Sequence, residues 1–385
     1  MKRVFLFLGL AFLLVGCIDE YIPQEIKDVR GILVIEGMIQ DGESIFRLSY
    51  SVGVSETLDG SEFINDAEVY VESNDGIRLP AVLAGNGTYV VQTPVLDTQK
   101  EYRISVTIKG ETCESEFLKP TISVEIDSIF TIKNNRGQPI KVYVAAHDAA
   151  NQSNYYRWQY RETWEVKAEL FAHARYLEDE NGIIHDWSKL IQHSLFTSEN
   201  TYYCWGRDSS KTFLIVSTEK LSESRVAQQE LISIPCDHEK LSILYRIEVE
   251  QIQLREAAYK YFADVKELSE RTGDLFSPVL SSGLRGNIYW RNNPNGLIIG
   301  YIEVATVTSM YRYIWEREGL YEPPPFNCYP YSSEGIGTIY MWNRQWRYTP
   351  AYFNGEAIAD KRCVDCRLKE KASKLKPSGW PTDHL

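Results

Sequence analysis

The stretch ILYRIEVEQIQLREAAYKYFADVKELSERTG, residues 243–273, contains a change of period that sets how the rest of the chain is read. In its first part Ile243, Tyr245, Ile247, Val249 and Gln251 alternate with Leu244, Arg246, Glu248 and Glu250. A period of two places one set on each face of a strand. From Leu254 to Arg271 the apolar residues Leu254, Ala257, Ala258, Tyr261, Phe262, Val265 and Leu268 recur every three or four positions, with Arg255, Glu256, Lys260, Asp264, Lys266, Glu267 and Glu270 on the other side. That spacing predicts an amphipathic helix over 254–271, one stripe against a core and the opposite face in water. Thr272 and Gly273 stop it, because glycine takes the left-handed conformation that closes a helix without a Cβ clash.

Downstream, Gly286 to Trp290 and Leu297 to Thr308 read as strands joined by the turn Asn292-Asn293-Pro294-Asn295-Gly296. Upstream, seven short runs alternate between Gly31 and Pro120: Ile32–Ile39, Ser44–Ser51, Ala67–Ser73, Arg78–Leu83, Thr88–Thr93, Glu101–Lys109 and Glu111–Phe117. Turn residues such as Asp41-Gly42, Asp75-Gly76 and Gly85-Asn86-Gly87 separate them. This pattern predicts an immunoglobulin-like or transthyretin-like sandwich over 31–120. A boundary is expected near Pro120–Asp127, followed by a second β-rich domain, 121–385, that carries the one long amphipathic helix. Ile140–Ala146, Tyr155–Leu170 and Ser210–Thr218 supply further strands, whereas Ala172–Phe196 and Glu316–Gly337 read as loops. Pro323-Pro324-Pro325 forbids a ladder there, since proline has no N–H to donate. The fold class expected is mainly β.

At the N-terminus Lys2 and Arg3 precede an apolar run, Val4–Val15, too short for a comfortable membrane span. Leu14-Val15-Gly16-Cys17 then matches a lipobox, so residues 1–16 read as a lipoprotein signal peptide, Cys17 as the lipidated residue and 17–30 as a tether. Several acyl chains on one residue anchor stably where a single chain does not. Removing Lys2 and Arg3 leaves 39 basic against 53 acidic residues, a formal charge of −14, which argues against a nucleic-acid partner. The 44% apolar content is that of globular domains.

Apart from Cys17, the cysteines are Cys113, Cys204, Cys236, Cys328, Cys363 and Cys366, an even set that suits disulfides outside the cytoplasm. The pairing expected is Cys204 with Cys236, and Cys328 with Cys363 or Cys366. Cys363-Val364-Asp365-Cys366 is alternatively a redox or zinc pair, with Cys328 and His384 as further ligands, but it lacks a thioredoxin-like context.

No enzymatic constellation stands out. His173, His185 and His193 share a stretch with Glu178, Asp179 and Glu180, without the one-face spacing of a metalloenzyme helix, and read as a solvated turn. A nucleophile elbow and a phosphate-cradling loop are absent. No metal, cofactor or catalytic residue is expected. The unusual feature is 25 Tyr, 9 Trp and 14 Phe, concentrated at Tyr155–Trp164, Tyr202–Trp205, Tyr311–Tyr331 and Tyr340–Tyr352. Strands favour and bury aromatics, so most of these belong to cores. In the proline-rich loop, Trp315, Tyr321, Phe326, Tyr329 and Tyr331 are harder to bury and are the candidate ligand or partner contacts.

The lipobox Cys17, Leu33-Val34-Ile35-Glu36-Gly37, Gly87-Thr88-Tyr89, Ile126-Asp127-Ser128, Tyr155-Tyr156-Arg157-Trp158, Tyr259–Phe262, Gly286-Asn287-Ile288, Gly300-Tyr301, Asp365-Cys366 and Lys376-Pro377-Ser378-Gly379-Trp380 occur in an order that resembles the Bacteroidetes lipoprotein family called domain of unknown function 4249. The resemblance spans nearly the whole chain, although no single motif is specific. Ile18-Asp19-Glu20 after the lipid site is similar to the signal that sends Bacteroidetes lipoproteins to the cell surface. The family resembles in setting the lipoproteins that accompany SusC-type TonB-dependent transporters. What this implies is an outer-membrane lipoprotein, anchored through Cys17, acting as a non-catalytic accessory or ligand-capturing subunit of a receptor barrel. The other class is a free-standing surface adhesin or structural binding lipoprotein; a hydrolase ranks third.

Overall fold

A computed structural model describes residues 31–52, 62–172, 174–176, 179, 190–192, 201–272, 285–325, 327–332, 351–353 and 357–382. The first eight strands are β1 (Leu33–Ile39), β2 (Gly42–Tyr50), β3 (Glu68–Ser73), β4 (Arg78–Pro80), β5 (Val82–Gly85), β6 (Thr88–Thr93), β7 (Tyr102–Ile108) and β8 (Glu111–Ser115). Then come β9 (Ile126–Ile132), β10 (Ile140–His147), β11 (Tyr155–Lys167), β12 (Ala174–Tyr176), β13 (Leu190–Gln192), β14 (Tyr203–Ser209), β15 (Leu214–Ser217), β16 (Arg225–Ile234) and β17 (Leu244–Gln253). Helix α1 (Glu256–Thr272) is followed by β18 (Ile288–Trp290), β19 (Ile298–Ile299), β20 (Glu303–Val304) and β21 (Thr308–Trp315). The last elements are β22 (Tyr331–Ser332), β23 (Ala351–Phe353), β24 (Ala357–Ala359), α2 (Lys361–Val364) and β25 (Ala372–Ser373). The fold is mainly β, as its period-two patterning requires.

Two compact units form. One holds the described residues up to Pro120 together with Lys260–Val304; the other holds Thr121–Tyr259 and Ala305–Leu385. The expected second domain, 121–385, therefore loses its middle to the first unit. The first unit is a sandwich of two sheets, in the orders β18-β8-β7-β3-β4 and β19-β1-β2-β6-β5, with β20 also on β1. Ile288, Ile298, Ile302 and Val304 are buried in the same core as Ile35, Phe46, Val91, Ile104 and Val106. The late segment thus fills hydrophobic space that 31–120 leaves open, while period alone says nothing about which core a strand joins.

Two expected strands are broken for local reasons. The run Arg78–Leu83 divides at Ala81, so β4 stays with β3 and β5 crosses to β6. Pro80, at the end of β4, cannot donate to a ladder. The run Leu297–Thr308 divides into β19, β20 and the start of β21. Gly300 sits at φ 146°, and a Cβ there would press on the Ile35 carbonyl of the adjacent β1.

The second unit packs the sheet β21-β17-β11-β14-β25, with β15 also on β11, against the three-stranded sheet β16-β10-β9. Tyr245, Ile247 and Val249 of β17, Trp158, Trp164 and Val166 of β11, and Val142 and Val144 of β10 share its core. Gly206 lets β14 lie close to Trp164, where any Cβ would meet the indole. A further sheet, β13-β12-β23-β24-β22, belongs to the same unit. Helix α1 starts two residues later than its spacing predicts, because the Leu254 amide is still held by the Tyr155 carbonyl (2.9 Å). Its buried stripe includes Ala258, Tyr261 and Phe262.

The disulfides are Cys204–Cys366 and Cys328–Cys363. The expected Cys204–Cys236 bridge does not form: Cys204 faces the C-terminal segment, and Cys236 is a buried free thiol, as is Cys113. Cys363 and Cys366 each bond elsewhere, so the redox or zinc pair does not form either.

Candidate ligand-binding face

In the second unit β17 is paired on both sides, so its two faces separate cleanly. Tyr245, Ile247 and Val249 point into the core, and Leu244, Arg246, Glu248 and Glu250 belong to the outer face. Register then lays out rows across the sheet. Trp315 of β21 is opposite Leu244, which is opposite Glu165 of β11 and then Trp205 of β14. Tyr313 is opposite Arg246, Thr163 and Arg207 in turn, and Tyr311 is opposite Glu248, then Arg161. Residues two apart on β21 share a face, so Tyr311, Tyr313 and Trp315 form a ladder. The ring centroids are 5.7 Å apart between the two tyrosines and 6.2 Å between Tyr313 and Trp315.

One half of this face is covered by the C-terminal strap. Trp380 is 5% exposed and packs with Trp205 and Leu244, with Tyr203, Tyr313 and Trp315 at the margin. Its ring stands edge-on to Tyr313 at 5.8 Å, and its Nε1 donates to Glu165 Oε2 at 2.7 Å. Glu165 is fully buried, so this charge-assisted bond helps offset the cost of holding a carboxylate away from water. The strap is held along its length: β25 pairs with Trp205 and Gly206, Lys371 pairs with Asp208, and Lys374 Nζ donates to the Tyr203 carbonyl (2.9 Å). Arg207 Nη2 donates to the Leu375 carbonyl (3.2 Å), and Cys204–Cys366 ties its start to β14.

The other half is open. Tyr311 is 59% exposed, and the Arg161 side chain is 61% exposed. Arg246 lies over the Tyr311 ring at 4.9 Å and pairs with Glu248 at 2.7 Å. Arg161 pairs with Glu250 and more distantly with Glu248 (3.6 Å), while Gln159 Nε2 donates to Glu250 at 2.6 Å. Two guanidinium and two carboxylate groups thus cancel. The surface offers a ring face, donors and acceptors side by side, with these four charges balanced and Arg207 turned to the Leu375 carbonyl of the strap.

Among the described residues the candidate contacts Trp315, Tyr321 and Tyr329 fall in different surroundings. Trp315 belongs to the ladder, with Arg317 over its ring at 4.4 Å. Tyr321 packs against the second unit's core, where burial raises its phenol, and lines a groove of about 620 Å³ with Pro139, Pro235, Cys236, Pro323 and Pro324. Glu322 anchors that groove through Lys133 (2.7 Å) and the Gly137 amide (3.0 Å). Tyr329 is 66% exposed, Tyr331 begins β22 opposite Ile358, and Phe326 lies outside the described residues. So do Cys17, His173, His185 and His193. Tyr311, Tyr313, Arg246, Arg161 and Trp380 were not singled out from sequence, although the i, i+2 spacing of Tyr311, Tyr313 and Trp315 carried the signal.

Among the described residues no group of three or more His, Cys, Asp or Glu side chains could hold a metal ion, and no helix is long and apolar enough to cross a membrane. An exposed pair, His147 Nδ1 to Asp127 at 2.7 Å, joins β10 to β9.

The family described as Domain of unknown function (DUF4249) matches residues 18–310. No curated protein matches the chain. Among solved structures, the chain is similar to a DUF4785 family protein from Legionella pneumophila, at 8% identity and a TM-score of 0.17, with 58% of this chain and 51% of that one covered. The chain thus spans about half the length of that protein. A structure titled as manganese lipoxygenase of Gaeumannomyces graminis with a partial zonadhesin of Komagataella pastoris is similar at 9% identity and a TM-score of 0.17, covering 60% of this chain and 90% of that one. Likenesses of this size carry no functional argument.

Proposed function

The chain belongs to the family of Domain of unknown function (DUF4249), and from that premise we propose that it is a non-catalytic, ligand-capturing subunit of a TonB-dependent receptor in the outer membrane. Lipid on Cys17 anchors it, and residues 18–30 tether the first unit. The observation that carries the reading is the open half of the outer sheet face, where Tyr311 stands in water beside Arg246 and Arg161, next to the half-buried Tyr313. A large aromatic ring left in water beside fixed polar groups is the usual make-up of a recognition surface. Reaction chemistry has no comparable support: no placed nucleophile accompanies the His147–Asp127 pair among the described residues.

The test is gentle solubilisation of native outer membranes, capture through a C-terminal tag and mass spectrometry of what accompanies the protein. One barrel receptor in near-equal amount is the expected result. Recovery of the lipoprotein alone contradicts it and favours a free-standing adhesin. Cys17→Ala is expected to release the protein from the membrane fraction; retention there would remove the anchor from the account.

A further inference from the structure

We infer that the open half of the outer sheet face takes an uncharged saccharide chain, lying on Tyr311 and Tyr313 and hydrogen-bonded to Arg161, Arg246, Glu248 and Glu250. The inference deepens the ligand-capturing reading and rests on it. The argument starts from charge. Arg246 is paired with Glu248 and Arg161 with Glu250, so these four charges are balanced on the face itself, while Arg207 of the same row is turned to the strap, where it donates to the Leu375 carbonyl. A charged group binding there would compete with the pair partner of whichever residue held it.

The second step is the type of polar group that fits. Guanidinium groups only donate and carboxylates only accept; here Arg246, Glu248 and Glu250 follow one another on one face of β17, and Arg161 of β11 stands opposite Glu248. A hydroxyl both donates and accepts, so a chain dense in hydroxyls can meet either neighbour without rearranging the ion pairs. An extended peptide fits less well. Its amide groups point in the plane of the strand, toward a sheet edge, and recognition of that kind uses edge pairing, not a face.

The third step is the ring ladder. Arg246 lies over one side of the exposed Tyr311 ring, and a ring 59% exposed still offers area to a flat, partly apolar sugar face. The adjoining half shows what this sheet accepts: Trp380 lies against Tyr313 and gives its N–H to a carboxylate of the sheet, Glu165. A saccharide would repeat that pairing of ring contact and hydrogen bond, with Glu248 or Glu250 as acceptor.

The experiment is calorimetric titration of the full mature chain in detergent with maltohexaose, cellohexaose and xylohexaose. A galacturonic acid hexamer and an uncharged hexapeptide serve as comparison ligands. At least one neutral hexasaccharide is expected to bind. Tyr311→Ala should weaken it roughly tenfold, and Tyr311→Phe, which keeps the ring, only about twofold. Arg161→Gln should also weaken it, with unchanged melting temperatures showing that both variants fold. No binding by any neutral chain, or binding indifferent to Tyr311→Ala, overturns the inference. Binding of the acidic hexamer or the peptide alone overturns the saccharide class and leaves ligand capture standing. Saccharide binding by a protein that purifies without a receptor removes the transporter subunit and keeps the site.

Discussion

The two halves of the outer sheet face share the same four strands and the same mix of aromatic and charged residues, yet one is sealed and the other is not. On the sealed side a Trp from the C-terminal strap packs with Trp205, Leu244 and Tyr313 and gives its N–H to one oxygen of Glu165. On the open side Arg246 and Arg161 pair with Glu248 and Glu250, and the Tyr311 ring keeps a face in water. The difference shows that residue composition does not decide burial here. The halves differ in where a carboxylate's partner comes from: Glu248 and Glu250 pair within the sheet, whereas Glu165 takes a donor from a distant segment.

If the strap is the structural half, cutting its tether should have the largest effect. Replacing both Cys204 and Cys366 with Ser removes a link across a sequence separation of 162. By loop-closure entropy this should lower stability by about 5 kcal/mol, measurable by urea denaturation. Trp380→Ala should cost about 3–5 kcal/mol, since it leaves a cavity among large side chains and takes a donor from buried Glu165. Trp380→Phe should cost less, about 1–3 kcal/mol, because a ring stays in place and only the donor and part of the indole volume are lost.

The strap should also loosen in acid. Burial, the largest single influence, would push Asp208 up, but the hydrogen bonds from Lys371 and the Ser209 amide, with the charges of Lys371 and Lys211, together outweigh it and hold the carboxyl below its ordinary value. A depressed folded value means that the contribution is fully present above the unfolded carboxyl range and is lost as pH falls through the folded one. Amide protection at Ala372 and Ser373 should therefore decline below about pH 4. Lys371→Met should flatten that decline; an unchanged profile would show that this pair does not hold the strap. The smallest effect on stability belongs to the open half. Tyr311→Ala should change it by no more than about 0.5 kcal/mol, and a larger loss would show that the ring is structural after all.

Much of this molecule was legible in its sequence. The alternation at 243–251 gave β17, and the three- and four-residue spacing at 254–271 gave α1 within two residues. Seven runs in 31–120 gave the strands of the sandwich, apart from the crossing at Ala81. The return of 260–304 to that sandwich was not legible, because a period identifies a face and not its partner. Cys204 was misassigned for the same kind of reason: Cys236 is nearer in sequence, but β14 lies beside the C-terminal segment. As for the candidate site, prolines drew attention to loop aromatics, whereas strand aromatics were expected in cores. Tyr321, from the loop, packs on a core while Tyr329 of the same loop is exposed, and Tyr311, from a strand, is also in water. Alternation places Tyr311, Tyr313 and Trp315 together without telling which side of the sheet is covered.

Hydroxyl-radical footprinting of the mature chain, with and without the neutral hexasaccharide that binds most tightly, separates the two halves side chain by side chain. Ligand-dependent protection of Tyr311 and Tyr313, with oxidation of Trp205 and Trp380 unchanged, is the predicted result. Protection centred on Trp380 and the strap, or none on the β21 ladder, would contradict it.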